Sequence, residues 1–380
     1  MSVEDLAGEL IRFDTAAPAG SEEKCALFIR DHVREMGLDA EFELHQLAQN
    51  RANLIVRIGR GLPAGLLLSG HMDTVAAGEP SLWTVTPPWT PKVVDGRLYG
   101  RGATDMKGGL AAIVESLRSL RGKRLKRGVV LVATAGEESG CLGLRRLIAD
   151  GAITGSTAAY AVVAEMSEAR VVRRHKGVTR FHIHFSGRGA HSSDPSLGVN
   201  AVENASEFIA ELQKYRAKLG LESDPELGST LLPVTFAQGG VRGRFNVIPE
   251  SCELVTVCRR LPRHSTAYVE EGLRGIIEEL RRRKGADRYD ARIEVQYEAN
   301  SLDTDADSPI VTLAERLTGS GSTFSPYGTE AAFYHEVGIP SIVLGPGRLE
   351  QAHVADEFVS VDELRRAAQI YRSLLQEICC

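Results

Sequence analysis

Short apolar segments alternate with helical patterns as far as about residue 175. Residues 128–133 and 159–164 are almost entirely apolar, as in strands that are covered on both faces. A helical pattern at residues 142–149 lies between them. Neighbouring parallel strands need a crossover connection, which is usually a helix, so alternating strands and helices indicate a parallel sheet. The sequence therefore predicts an α/β fold with a mixed, largely parallel sheet.

The alternation of apolar strands and helices is interrupted after Gly177. Residues 179–185 alternate apolar and polar side chains, and a long helical pattern follows at residues 199–215. Further strand and helix patterns continue to residue 299, after which the pattern of the first part returns. We predict one α/β domain interrupted by a smaller α+β domain. The first part of the α/β domain, the insertion and the second part are predicted at residues 1–177, 178–299 and 300–380.

The composition is that of a globular protein and excludes several other classes. Of the 380 residues, 43% are hydrophobic and 25% are charged, which is too apolar for a disordered chain. The formal net charge is −5, and the basic stretch at residues 118–127 fits a solvated loop, so no nucleic-acid partner is predicted. No apolar run approaches the ~18 residues of a membrane helix.

The predicted compartment follows from the N-terminus and the cysteines. The first ten residues carry an acidic pair where a secretory signal has basic residues. The six cysteines show neither a CxxC motif nor the spacing of a disulfide framework. We expect a cytoplasmic protein with reduced thiols that does not bind membranes.

Acids and histidines recur where the predicted strands end. His71 and Asp73 follow one strand and lie two residues apart, so their side chains point to the same side of an extended chain. Open α/β sheets place their active sites at such strand ends. Each residue alone has an ordinary explanation, as a helix cap, a surface acid or a loop histidine. Their recurrence predicts a metal site with the candidates His71, Asp73, Asp105, Glu137, Glu138, Glu165 and His353.

The side chains of this set indicate metal-assisted hydrolysis. Imidazole and carboxylate ligands suit zinc, with cobalt or manganese as substitutes. Two divalent ions held by three carboxylates keep one net positive charge, which favours hydroxide as their shared ligand. Glu137 is not needed as a ligand and is the candidate general base. The predicted ligands are His71, Asp105, Glu138, Glu165 and His353.

Motifs of serine hydrolases and of nucleotide-binding proteins are missing from the sequence. It contains no GxSxG elbow, no P-loop and no complete GxGxxG. A cysteine hydrolase is not excluded by this, but no cysteine lies in a setting comparable to that of the acids and histidines. Five segments instead follow one another in a recognisable order, together with a strand-end glutamate. These segments are HMDTV, DGRLYGRGATDMKGG, ATAGEES, GAHSSDPSLGVNAVE and QAHVADEF.

With these motifs the chain resembles the co-catalytic zinc family of acetylornithine deacetylase, succinyl-diaminopimelate desuccinylase, aminoacylases and glutamate carboxypeptidases. The resemblance runs from about residue 5 to the C-terminus. It implies a zinc-peptidase catalytic domain interrupted by a lid domain. It also implies two zinc ions per subunit, with Asp105 bridging them. The other ligands would pair as His71 with Glu165, and Glu138 with His353.

The resemblance also implies the catalytic roles. Glu137 would be the base that takes a proton and passes it to the leaving amine. Asp73 would support His71 through a hydrogen bond. His191, in the GAHSS motif of the insertion, would reach the active site of the partner subunit and stabilise the oxyanion there. The insertion would therefore be both a lid and the dimerisation domain of a homodimer.

Residues of the insertion that match substrate-binding positions of the family are Asn246 and Arg259. Both would hold the substrate's α-carboxylate, although Arg259 also fits a surface ion pair. His182 and His184 lie on one face of a predicted strand and are interpreted as structural. The segments RRHKG, YGTEAAF and LGPGRLEQAH favour the acetylornithine deacetylases within the family.

The expected reaction is the removal of an acyl group from an N-acyl-L-amino acid. We expect N2-acetyl-L-ornithine, as in arginine biosynthesis, and Glu330 could pair with its distal ammonium group. The chain departs from the family's usual pattern at Met166-Ser167, after Glu165, and at Val257. The alternatives are N-succinyl-diaminopimelate desuccinylase, aminoacylase, metallo-carboxypeptidase or dipeptidase, and a catalytically silent relative that acts as a binding or scaffold protein.

Overall fold

The computed structural model describes residues 1–17 and 20–380. These residues form two compact units. The larger unit comprises Met1–Arg174, Leu302–Ser325 and Thr329–Cys380, and the smaller comprises His175–Ser301 with Pro326–Gly328. The predicted boundaries, after residues 177 and 299, lie close to these. Among the described residues, no helix has the length and apolar character needed to span a membrane.

The larger unit is built on a mixed sheet whose middle is parallel. Its order is β1-β2-β6-β3-β7-β15-β8-β13, and β14 pairs with β8. Strand β3 pairs in parallel with β6 and β7, and β7 pairs in parallel with β15. This confirms the predicted α/β fold. The strands are β1 Ala40–Ala48, β2 Arg51–Ile58, β3 Ala64–His71, β6 Gly128–Thr134, β7 Tyr160–Val163, β8 Val172–His175, β13 Leu302–Asp303, β14 Thr323–Ser325 and β15 Ser341–Val343.

Helices and a small second sheet complete the larger unit. Helix α3 is apolar on nearly all sides and wholly buried, and it packs against α1 and α9. Helix α9 begins where the Ser360 side chain accepts a hydrogen bond from the Glu363 amide. The helices are α1 Val3–Ile11, α2 Glu22–Glu35, α3 Lys107–Ser116, α4 Leu142–Ala149, α7 Pro309–Thr318, α8 Ala331–Glu336 and α9 Val361–Cys379. The small sheet contains β4 Lys92–Val94, β5 Arg97–Tyr99 and β16 Phe358–Ser360.

The smaller unit is a four-stranded antiparallel sheet with two helices. Its strand order is β10-β11-β9-β12. Alternate residues of β9, Phe181, Ile183 and Phe185, are buried in a core shared with residues of both helices, such as Phe208 and Leu273. The elements are β9 Gly177–Ser186, α5 Ala201–Gly220, β10 Val234–Gly239, β11 Ser251–Arg260, α6 Thr266–Lys284 and β12 Asp290–Ala299.

The cysteines, all of which lie in the described part of the chain, are unpaired. Five of the six are buried, and Cys380 is partly exposed. Burial raises the pKa of the Cys25 thiol to about 11, which keeps it protonated and unreactive at neutral pH.

Candidate metal centre

The parallel strands bring the predicted metal-site residues to one edge of the sheet. His71 is the last residue of β3 and pairs with Thr134, the last residue of β6. Glu137 and Glu138 follow β6, and Glu165 follows β7. Because neighbouring parallel strands end at the same edge, these side chains, far apart in sequence, become neighbours.

Three buried residues form the first group of candidate ligands. His71 Nε2 lies 3.1 Å from Asp105 Oδ1 and 3.3 Å from Glu165 Oε1. The Nδ1 atom of the same ring is 2.9 Å from the backbone carbonyl oxygen of Asp73. A hydrogen bond from Nδ1 to that carbonyl places the ring's lone pair on Nε2, where it faces the two carboxylates.

A second group shares the same aspartate. His353 Nε2 lies 3.1 Å from Asp105 Oδ2 and 3.1 Å from Glu138 Oε1. The two oxygens of Asp105 therefore serve different groups. His353 has a φ of 62°, a left-handed conformation that non-glycine residues seldom adopt. Residues held in such conformations are concentrated at functional sites.

The donor sets fit divalent cations. In each group, one nitrogen or oxygen atom per residue lies within 4.8 Å of the others, and the atoms are those that zinc prefers. Each group combines one imidazole with two carboxylates, of which Asp105 is common to both. Buried carboxylates at this density are costly without compensating positive charge. Two divalent ions would supply that charge.

The pKa values of the two histidines in the centre are raised by the same crowded carboxylates. Burial opposes protonation of His71, but the charge of Glu165 and the hydrogen bonds to Asp105 and Glu165 outweigh it and raise its pKa well above 6.5. Hydrogen bonds with Asp105 and Glu138 raise the pKa of His353 to about 10. Both histidines thus respond to a surrounding negative potential, which would attract a metal cation equally well.

Asp73 supports the centre in a way that differs from the expected one. Its Oδ1 lies 3.7 Å from His71 Nδ1, too far for a hydrogen bond, and the backbone carbonyl takes that role. The carboxylate instead accepts hydrogen bonds from the backbone amides of Glu137 and Glu138, both at 3.1 Å. Asp73 therefore fixes the segment that carries the candidate base and its neighbouring ligand.

Glu137 lies next to the ligand groups without belonging to either. Burial, followed by the charges of Glu165 and Glu138, raises its pKa well above 4.5. The Cys141 thiol donates a hydrogen bond to Glu137 Oε1 over 3.5 Å. A carboxylate that holds a proton readily and lies beside a metal centre has the properties of a general base.

A buried ion pair that positions Asp105 was not predicted from the sequence. Arg101 Nη1 lies 2.6 Å from Glu357 Oε2, and both side chains are almost fully buried. Glu357 Oε1 accepts hydrogen bonds from the backbone amides of Thr104 and Asp105, at 2.9 and 3.1 Å. Arg101 lies in the glycine-rich motif and Glu357 in the closing QAHVADEF motif, but no feature of the sequence links the two.

A glycine beside Glu165 permits the close packing of this region. A Cβ atom on Gly109 would lie 2.1 Å from the carbonyl oxygen of Ala164. Helix α3 can therefore approach the end of β7, just before Glu165, only because residue 109 has no side chain. This accounts for one glycine of the DMKGG segment that leads from Asp105 into the helix.

The complete burial of Glu330 does not favour the predicted substrate contact. The Thr134 hydroxyl donates a hydrogen bond to Glu330 Oε2 over 2.9 Å, while Oε1 is buried without a hydrogen-bond partner. Burial raises the pKa of this carboxyl to about 8. A substrate ammonium group would have to displace protein atoms to reach it.

The predicted residues of the smaller unit lie on its surface, and two of them are neighbours. His191 and Asn246 are exposed, and the Ser192 amide donates to the Asn246 carbonyl over 2.9 Å. The Ser193 amide donates to His191 Nδ1 over 3.2 Å, so the neutral ring carries its proton on Nε2. Arg259 is half-buried, and its backbone pairs with that of Leu231.

Two ligand groups that share one carboxylate are the arrangement of a dinuclear metal-dependent hydrolase. The model of the peptidase family M20/M25/M40 matches residues 67–377, and the chain belongs to this family. It is a metal-dependent amidohydrolase, and the predicted family resemblance is confirmed.

Curated relatives cover nearly the whole chain. The acetylornithine deacetylase of Edwardsiella ictaluri (strain 93-146) is 31% identical over 364 residues, which are 94% of this chain and 92% of the relative. The enzyme of the same name from Photorhabdus laumondii subsp. laumondii is 32% identical over 364 residues, 94% of this chain and 91% of the relative.

Solved structures of the family share the fold. A Staphylococcus aureus tripeptidase superposes with a TM-score of 0.78 at 21% identity, over 99% of this chain and 97% of the other. A dinuclear metal-binding peptidase of family M20 from Bacillus subtilis gives a TM-score of 0.72 at 18% identity, over 99% and 98%. At these identities the likeness shows the architecture of the whole chain.

Proposed function

We propose that the protein removes the acetyl group of N2-acetyl-L-ornithine, giving L-ornithine and acetate. The observation that carries amide hydrolysis is the shared position of Asp105 between two ligand groups, with Glu137 beside them. The choice of substrate is supported by the curated acetylornithine deacetylases that match 94% of the chain. The proposed reaction is a step of arginine biosynthesis.

The proposed cofactor is a pair of zinc ions, for which cobalt or manganese can substitute. When bound, the ions polarise the amide carbonyl and make hydroxide available at neutral pH. The first ion is assigned to His71, Asp105 and Glu165. The second is assigned to Asp105, Glu138 and His353. The hydrogen bond from His71 Nδ1 to the Asp73 carbonyl leaves the lone pair on Nε2, which would be available to the first ion.

Proton transfer is assigned to Glu137. Its carboxylate accepts a proton from the attacking water as the new carbon–oxygen bond forms. It then delivers that proton to the amine nitrogen as the carbon–nitrogen bond breaks, so the carboxylate is regenerated. The raised pKa of this group favours the protonated form that the second step needs.

Substrate orientation and oxyanion stabilisation are assigned to the smaller unit. Arg259 and Asn246 are proposed to bind the α-carboxylate, for which a guanidinium offers a charge-assisted hydrogen bond. His191 is proposed to donate its Nε2 proton to the oxyanion in the partner subunit of a homodimer. The Ser193 amide supports this assignment because it donates to Nδ1 and so leaves the proton of the neutral ring on Nε2.

The reaction is tested by the initial rate of amine release from a panel of substrates. Zinc- or cobalt-reconstituted protein should release ornithine from N2-acetylornithine faster than it cleaves N-succinyl-diaminopimelate, N-acetylmethionine or a dipeptide. Chelator should abolish turnover, and zinc should restore it. A preference for another substrate would keep the chemistry and overturn the assignment to arginine biosynthesis. The absence of turnover by metal-loaded protein would favour a catalytically silent relative.

The role of Glu330 is tested by its replacement with glutamine, which has nearly the same shape. Because the carboxylate is buried against Thr134, we expect KM to change equally for N2-acetylornithine and N-acetylmethionine. A selective rise in KM for N2-acetylornithine would instead show that Glu330 contacts the distal ammonium. Steady-state kinetics with both substrates distinguishes the two roles.

A further inference from the structure

Two histidines outside the metal centre lie side by side on the smaller unit. His182 and His184 are separated by one residue on β9 and point to the same face of the sheet. Their ring centroids are 4.0 Å apart. The helices pack on the opposite face, where Phe181, Ile183 and Phe185 are buried. The backbone therefore holds the two imidazoles next to each other on the face of the sheet that the helices do not cover.

A carboxylate from the neighbouring strand completes a group of three donors. Glu253 on β11 pairs with His184 in register, and its Oε2 lies 2.8 Å from His182 Nε2. One donor atom from each residue lies within 4.8 Å of the other two. A fourth group, Glu294 on β12, places Oε2 3.8 Å from His184 Nε2.

One detail of the hydrogen bonding points to a cation, and a second shows how His182 could bind one. His184 Nε2 is a buried atom without a hydrogen-bond partner, a state that costs free energy in a folded protein. The amide of Gln296 lies 2.6 Å from His182 Nδ1. As placed, the amide nitrogen donates to Nδ1, and Nε2 donates to Glu253. Binding of a cation would require the amide to turn, so that its oxygen accepts from Nδ1 and the lone pair of His182 lies on Nε2. Outer partners of this kind commonly orient histidine ligands on metal ions.

We propose that His182, His184 and Glu253 form a third divalent-metal site, one that takes zinc. Two neutral imidazoles and one carboxylate are a recurrent zinc ligand set, with water as the fourth ligand. The ion links β9 to β11, so it stabilises the smaller unit and takes no part in hydrolysis. The proposal replaces the purely structural interpretation of the two histidines and does not depend on the proposed substrate.

The test is the number of zinc ions per chain in the complete protein. Chelator-treated protein is equilibrated with Zn²⁺ and analysed by elemental analysis and calorimetric titration. We expect three ions in the wild type and two in His184→Ala, with the deacylation rate unchanged. The matched control is His45→Ala, because His45 pairs with Glu43 at 3.2 Å but belongs to no group of three donors among the described residues. That variant should keep three ions.

A second variant separates loss of the ligand from loss of the fold. Glu253→Gln retains a hydrogen-bonding oxygen beside His182 but removes the charge, and it should weaken binding of the third zinc at least ~10-fold. Far-ultraviolet circular dichroism of the zinc-free variants should match that of the wild type. A His184→Ala variant that binds as many zinc ions as the wild type overturns the proposal, whatever the number held by the centre at Asp105. Failure of the deacylase assay does not affect this count.

Discussion

Replacing Glu137 with alanine should lower kcat for N2-acetylornithine by about 10²–10⁴-fold while both metal ions stay bound. Glu137 belongs to neither group of candidate ligands, although it lies one residue from Glu138. The loss should therefore fall on proton transfer and leave the ions in place. Steady-state kinetics on zinc-loaded protein, with the metal content of the same sample, measures both quantities.

The neighbouring acid provides the matched control for this prediction. Glu138→Ala removes a carboxylate whose Oε1 lies 3.1 Å from His353 Nε2, so it should lower both the metal content and the rate. Both variants lose one carboxylate from the same segment, which Asp73 fixes through two backbone amides. Equal loss of metal in the two variants would mean that Glu137 is itself a ligand.

The fold was largely predictable because its central strands are apolar along their whole length. Residues 128–133 were recognised as a strand, and β6 extends over Gly128–Thr134 with every residue buried. Strand β1, Ala40–Ala48, was not recognised. None of its residues is fully buried, and charged and polar side chains stand between its apolar ones, so its apolar signal is weak.

Contacts across the fold explain what the sequence could not show about the site. The candidate ligands were predictable because they follow strand ends. The contact of one Asp105 oxygen with His71 and of the other with His353 depends on where the loops converge. The Arg101–Glu357 pair spans 256 residues and leaves no local pattern. Likewise, Asp73 was predicted to support His71 through a hydrogen bond. Its carboxylate instead accepts hydrogen bonds from two backbone amides, and this contact depends on the path of the backbone.

Replacing Asp105 with alanine should remove both metal ions and abolish deacylation, a larger effect than the loss of any other candidate ligand. Its Oδ1 lies 3.1 Å from His71 Nε2 and its Oδ2 lies 3.1 Å from His353 Nε2, so each ion loses a carboxylate. The remaining ligands of each ion are one imidazole and one carboxylate, too few for a stable zinc site, which usually has at least three protein ligands.

The matched comparison is Glu165→Ala, which removes a ligand from the first group alone. This variant should retain the ion held by Asp105, Glu138 and His353. Elemental analysis of Asp105→Ala, Glu165→Ala and the wild type gives the number of bound metal ions per chain. This number does not depend on activity. Thermal unfolding of the metal-free proteins controls for loss of the fold. Retention of one ion by Asp105→Ala would show that this carboxylate serves only one of the two groups, and the bridging role would be wrong.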